Sequence, residues 1–441
     1  MKLNYKRTFI TGLAFMSICA FWQLYDNVIP LILKNTFNVS DSVSGVIMAL
    51  DNVIALFLLP LLGAYSDKKN TRIGKRMPFI LIGTALAVVL MVLIPMFDNG
   101  YYKTHATWMF VGFIIVLGLL LISMALYRSP AVALMPDITP KPLRSKANAV
   151  INLMGAVGGI LYLALSAILF KNAGERNNYQ TVFIIIAAIM TISVIVLFLF
   201  INEPKCVAEV AAYEKEHPED DLSAVDEKSG DSYLPREVKK SLIFILMSIA
   251  LWYMGYNAIS TAFSKFATSV WNMSLGSANL CLTLGTGVAI VSYIPIGELA
   301  SRIGRKKTII LGVIVLSLCF LSCGILGFVL GRFSPVIYVI FGFIGISWAA
   351  INVNSLPMVV EMCKESDIGR YTGYYYTCSM AAQIATPILS GILLQYVGYW
   401  TLFPYGALFV FFSLLTMLMV KHGDNKPALP KDKLEVFDVD D

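Results

Sequence analysis

The sequence predicts an all-α polytopic membrane protein: twelve transmembrane helices in two pseudo-symmetric six-helix bundles. Composition, the spacing of apolar runs and a charged loop that occurs twice carry that prediction. Of 441 residues, 57% are hydrophobic and only 14% charged, too few polar groups to clothe a soluble core of this size. Apolar windows of about 18 to 25 residues, long enough to cross roughly 30 Å of hydrocarbon, fall near 8–33, 43–66, 77–96, 107–136, 147–170 and 179–202. A second set follows near 241–267, 276–300, 306–330, 334–361, 371–397 and 400–421. Each is expected to be a helix, because in lipid every backbone donor and acceptor must pair within its own segment. The loop is GAYSDKKNTRIGKR, Gly63 to Arg76, and its shorter relative is GELASRIGRKK, Gly297 to Lys307. Each closes the second span of a set of six, so the chain reads as two copies of one unit.

The first span follows Lys2, Lys6 and Arg7, has no small-residue cleavage site and is long enough to stay as an anchor. Basic residues then gather in alternate connections: Lys68, Lys69, Arg72, Lys75 and Arg76 after the second span, Lys141, Arg144 and Lys146 after the fourth, Arg302, Arg305, Lys306 and Lys307 after the eighth. The opposite connections hold little beyond Lys34, Lys103, Lys171, Arg176 and Arg332. The positive-inside rule therefore predicts a multi-pass plasma-membrane protein with both termini in the cytoplasm. Topology accounts for the net charge of +6, and no nucleic-acid partner is expected. Between the sixth and seventh spans lies EPKCVAEVAAYEKEHPEDDLSAVDEKSGDSYLPREVKK, acidic and proline-containing, which reads as a cytoplasmic linker with room for a short surface helix. The expected division is a bundle over 1–202, the linker over 203–240, a second bundle over 241–421 and a solvated tail over 422–441. Tandem six-helix units are a transporter architecture, with the solute site expected at mid-membrane.

The loop resembles motif A of the major facilitator superfamily, with about four residues inserted between Asp67-Lys68 and Arg72, Gly74, Lys75 and Arg76. The second copy keeps Gly297, Arg302, Gly304, Arg305 and Lys306 but has Ser301 where the acid belongs. Together with PFILIGT after the first copy, the stretch from Ser129 to Leu161 resembles the sucrose-proton symporters and the glycoside-pentoside-hexuronide cation symporters. The matching positions are Pro130, Leu134, Asp137, Arg144 and Asn148. The sucrose symporters place an arginine five residues before that aspartate; here the slot is Val132 and the nearby arginine is Arg128. The resemblance implies a glycoside carrier. It also makes Gly63, Asp67, Arg72, Gly74, Lys75, Arg76, Asp137, Arg144, Gly297, Arg302, Gly304 and Arg305 candidate gating residues. Asp67 could pair with Arg72, Lys75 or Arg76, or cap a helix N-terminus; the alternative is that the basic residues serve topology alone.

A charge inside a bilayer costs at least about 2.5 kcal/mol on insertion scales, so it usually marks a water-filled cavity and a function. Asp26 in the first span, Asp51 in the second and Arg128 in the fourth meet that description. Burial favours the neutral form of a carboxylic acid, the property that a proton-coupled carrier needs, so Asp26 and Asp51 are the candidate proton-coupling residues. Asp26 could instead bond within its bundle, and Asp51 could sit at the outer interface.

Sugar recognition calls for aromatic faces and many donors and acceptors. Gln23 and Tyr25 flank Asp26, and Trp252, Tyr253, Tyr256 and Asn257 are expected on one face of the seventh span. Trp348 and Asn352 with Ser355 repeat the theme in the tenth, and Tyr376 and Gln383 in the eleventh; Tyr374 and Tyr375, near a helix start, are weaker candidates. In the fifth span Asn148, Asn152, Gly155 and Gly159 share a face that serves either solute binding or helix packing.

Seven scattered cysteines without a CxxC pair, three histidines in loops or tails, and the absence of a phosphate-binding glycine loop argue against a metal site or ATP hydrolysis. No cofactor is expected beyond a coupling ion, a proton or sodium, and the protein is expected not to be an enzyme. The predicted function is uptake of a sugar or glycoside, a disaccharide such as an α-glucoside, by proton symport in a monomer within the lipid bilayer. The alternatives are proton-antiport export of small lipophilic compounds and, outside the carrier class, a polytopic membrane enzyme or sensor.

Overall fold

The computed structural model describes residues 3–69, 71–140, 143–172, 176–216, 235–362 and 368–424, except the side chains of 60, 63, 64, 67, 145, 214, 368 and 369. The roles read into Gly63 and Asp67, the basic Lys141 and the central stretch of the linker fall outside the described residues. Thirteen α-helices occur among those described: α1 Tyr5–Asn35, α2 Asp41–Lys68, α3 Met77–Thr104, α4 Thr107–Asp137, α5 Arg144–Leu169, α6 Gln180–Phe200, α7 Glu203–Glu216, α8 Arg236–Val270, α9 Leu275–Ile303, α10 Arg305–Leu330, α11 Val336–Val360, α12 Ile368–Tyr396 and α13 Leu402–Met419. All but α7 are long and apolar enough to cross a membrane.

The chain clusters into two units, one holding residues 1–40 and 50–221, the other 41–49 and 222–440. Within the first, α1 packs on α5 and α6, and α3 on α4 and α6; within the second, α8 packs on α12 and α13, and α10 on α11 and α13. The same pairing recurs at equivalent positions, as expected of two copies of one unit.

Many serine and threonine hydroxyls inside the helices bond back to the preceding turn, as Thr11 does to the Arg7 carbonyl at 3.0 Å and Thr386 to Ala382 at 2.6 Å, and these add no unpaired group to an apolar medium. Buried polar pairs join helices: Tyr127 of α4 bonds Ser17 of α1 at 2.9 Å, and Ser264 of α8 bonds Asn279 of α9 at 2.7 Å. The core of the second unit includes Trp252, Phe263, Phe320, Phe341 and Phe403. The outer faces are apolar as well, with Phe57, Leu61, Val291 and Phe328 exposed, the surface that lipid covers.

Candidate functional site

In the first unit, α1 brings Trp22, Gln23, Tyr25 and Asp26 together. Trp22 lies edge-on to Tyr25, with centroids 5.6 Å apart, and the Arg128 guanidinium sits 6.0 Å from the centre of the Trp22 ring, within cation–π range. Asp51 of α2 accepts the Asn52 backbone N–H at 2.6 Å and its side-chain amide at 2.8 Å. Asp51 interacts electrostatically with both Asp26 and Arg128, so the three ionisable groups singled out in the sequence fall in one neighbourhood. The Trp22 indole nitrogen and the Tyr25 hydroxyl are buried there without a hydrogen-bond partner among the described residues. Such donors are costly unless something fills them.

Asn148 and Asn152 are half-buried on α5, while the glycines of that stripe face α1. A Cβ on Gly155 would lie 3.0 Å from Cys19 Sγ, one on Gly159 3.3 Å from Gln23 Cγ, and one on Gly158 only 1.9 Å from the Met16 carbonyl oxygen. Small residues therefore let α1 and α5 approach closely, the packing alternative for this part of the stripe.

In the second unit, α8 separates residues that the sequence grouped. Trp252 is fully buried in the apolar core, whereas Tyr253, Tyr256 and Asn257 are half-buried on the adjoining face. Neighbouring residues on a helix point about 100° apart, so Trp252 turns inward where Tyr253 turns out. Trp252 thus lies deeper than Tyr253, and its indole nitrogen is buried without a hydrogen-bond partner among the described residues. Trp348 of α11 stacks on Tyr256 with centroids 3.7 Å apart and planes 7° from parallel, and meets Tyr253 edge-on at 5.3 Å. Tyr375 of α12, a weaker candidate in the sequence, completes the cluster: its hydroxyl lies 3.2 Å from that of Tyr253 and 3.1 Å from Ser355 Oγ. The Asn257 side-chain nitrogen is buried without a partner, Asn352 is buried on α11, and Gln383 and Tyr376 are half-buried on α12.

The charged loops are built alike in the two units. In the first loop the backbones of Thr71 and Gly74 bond to each other at 3.1 and 3.3 Å. Arg76 is buried; its Nε donates to Asp137 at 2.8 Å, and it also bonds Ser66. Arg72 and Lys75 are exposed, and Arg144 donates to the Thr139 carbonyl at 3.2 Å. The N-terminus of α3 is capped by Glu203 of α7, which accepts from Lys75 N at 2.6 Å, Arg76 N at 2.9 Å and Met77 N at 2.9 Å. In the second unit Arg305 pairs with Glu361 at 2.5 Å, and Asp424 accepts the Lys306 backbone N–H at 2.8 Å. Glu361 follows α11 as Asp137 ends α4, so the second copy has its ion pair although Ser301 is not acidic; Arg302 makes an exposed pair with Glu298.

Two charged loops of one design, each opening the third helix of a six-helix unit, point to a single family. The model for the Major Facilitator Superfamily matches residues 11–268 and 245–437. The chain belongs to this superfamily. It is a major facilitator transporter, a multi-pass membrane protein that moves small molecules. It is 23% identical to an uncharacterized MFS-type transporter of Methanocaldococcus jannaschii over 396 residues, 89% of each chain. It is 28% identical to a sucrose transport protein of Arabidopsis thaliana over 191 residues, 38% of this chain, and the match spans about a third (32%) of that relative. Among solved structures, a D-xylose-proton symporter superposes with a TM-score of 0.70 at 14% identity, over 96% of this chain and 99% of that one. A bacterial ferroportin homologue superposes at 0.68 with 12% identity, over 95% and 99%. At such identities the likeness is one of fold.

Sequence reasoning missed Lys265, a lysine 5% exposed inside α8. It pairs with Asp41, the first residue of α2, which clusters with this unit; Tyr399 donates its hydroxyl to both Asp41 oxygens, at 2.9 and 3.1 Å. Its place two residues inside the predicted end of the seventh span made it resemble an interfacial lysine, and α8 runs on to Val270.

Proposed function

We propose that the protein takes up a sugar or glycoside, with a disaccharide such as an α-glucoside first among them, by proton symport with alternating access. The observation that carries this is the cluster of Tyr253, Tyr256, Trp348 and Tyr375 with Ser355: flat ring faces beside three linked hydroxyls. Ring faces suit the C–H side of a pyranose, and the hydroxyls and the Asn257 amide suit its O–H groups. The sucrose transport protein among its relatives supports the same solute class. Asp26 and Asp51 are the proton-coupling groups, with Arg128 and the unpartnered Trp22 and Tyr25 donors beside them. A plasma-membrane monomer with both termini in the cytoplasm is the form that accords with the basic loops.

Equilibrium binding of labelled glycosides to the purified full-length protein tests the assignment. Trp348→Ala is expected to weaken binding by about 1 to 3 kcal/mol, the scale of a well-packed aromatic contact. Binding of a lipophilic cation, with none of any glycoside, would point to the exporter instead.

A further inference from the structure

A pocket of about 310 Å³ with charged side chains in its lining, at the N-terminal end of α1, plays no part in the functions above. It lies wholly within the first unit, between Asn4, Lys6 and Arg7 of the α1 start, Phe200 at the end of α6, and Lys205 and Glu209 of α7. Arg7 and Glu209 pair at 2.5 Å and tie α7 to α1. The bond from Arg7 holds the Glu209 carboxyl below the usual range, so it is ionised at neutral pH. Lys6 and Lys205 are exposed at the rim and form no ion pair among the described residues; Lys6 sits 5.9 Å from the centre of the Phe200 ring. Three cations against one carboxylate leave the pocket positive.

The surface beside it is of the opposite kind. Leu199 is 69% and Phe200 62% exposed at the end of α6, and Phe9 is 45% exposed on α1. The cations therefore stand where a lipid-facing surface ends, and an anion that enters the pocket meets apolar side chains along its rim. A free inorganic anion has no use for that rim, whereas a phospholipid places its phosphate among the cations and its chains along Leu199 and Phe200. We propose that this pocket binds the phosphate-bearing headgroup of an anionic phospholipid. Basic pockets at the ends of membrane helices have the charge and depth for such headgroups. Because α7 also carries Glu203, a headgroup held here steadies the helix that caps α3.

Full-length protein in nanodiscs of phosphatidylcholine with phosphatidylglycerol, transferred to a neutral detergent and examined by native mass spectrometry, tests this. The parent protein is expected to retain one phosphatidylglycerol. Lys6→Gln with Lys205→Gln should bind it roughly 30-fold more weakly, the combined effect of two basic residues near an anionic headgroup, and both positions are exposed enough to spare the fold. Arg332→Gln, an exposed cation of the second unit, should change nothing. Equal retention by the double variant would overturn the proposal, as would displacement of the lipid by millimolar inorganic phosphate, which would mark a free-anion site.

Discussion

Glu203 and Arg76 are joined through the backbone: the Arg76 N–H is shared between the two Glu203 carboxylate oxygens at 2.9 and 3.1 Å. The same arginine sends its side chain to Asp137, so a single residue links the ends of α2 and α4, the start of α3 and the start of α7. Glu203 is only 2% exposed, and a carboxylate receiving helix N-terminal N–H groups is among the stronger hydrogen-bond acceptors. Glu203→Ala leaves three N–H groups without their acceptor and should cost about 2 kcal/mol of stability, with Glu203→Gln losing less. Thermal unfolding of the purified protein reads both; an unchanged midpoint for the alanine variant would remove Glu203 as a structural cap.

Gly74 has φ +117°, and a Cβ there would lie 2.2 Å from Glu203 Oε2. Gly304, its counterpart, has φ +97° and would place a Cβ 2.8 Å from Asp424. Both alanine variants are strained by roughly 1 to 3 kcal/mol, and Gly74→Ala should be the more damaging because it also displaces the cap. The unfolding midpoints of the two variants check the order; the reverse order would mean that the acid at Gly74 moves aside freely.

Lys265 and Asp41 form a buried pair, their side chains 6% and 11% exposed. Removing one partner of such a pair leaves a buried charge and typically costs about 3 to 5 kcal/mol, whereas replacing both with apolar groups of similar volume costs far less. Lys265→Met alone should thus destabilise the protein more than Lys265→Met with Asp41→Leu. Additive losses in a double-mutant cycle would show that the two charges do not depend on each other.

Legibility followed range. Span positions emerge from the sequence because lipid makes the same demand on every residue of a helix, although hydropathy overlooks a helix that continues past the apolar zone: α8 begins at Arg236, ahead of the predicted 241. The depth of Trp252 was not legible because an aromatic residue looks alike whether it fills a core or lines a site, and only the packing of α8 against its neighbours separates it from Tyr253. Tyr375 was undervalued for the opposite reason, since its partners come from α8 and α11. Glu203, Glu361 and Asp424 lie far along the chain from the loops they bind, and Glu203 stands in a stretch whose acidic composition reads as solvated. The repeat itself was the clue: an acid soon after the sixth span has its counterpart soon after the twelfth.

Asp26 and Asp51 offer a test of coupling that leaves shape nearly intact. Asp26→Asn or Asp51→Asn keeps hydrogen bonding and removes the titrating proton, so net uptake driven by a pH gradient should collapse while exchange with equal solute on both sides persists. Gradient-driven uptake at the parent rate in both variants would exclude the pair as coupling groups, and dependence on sodium would replace the proton as the driving ion.

Uptake into proteoliposomes is the most direct measurement of the central claim, that this transporter carries a sugar. Labelled disaccharides, monosaccharides and lipophilic cations would each be offered under an inward proton gradient to the parent protein and to Trp348→Ala. Accumulation of at least one glycoside, abolished by collapsing the gradient and strongly reduced in Trp348→Ala, is the predicted result. Transport of a lipophilic cation with no glycoside accumulated by the parent protein would contradict it.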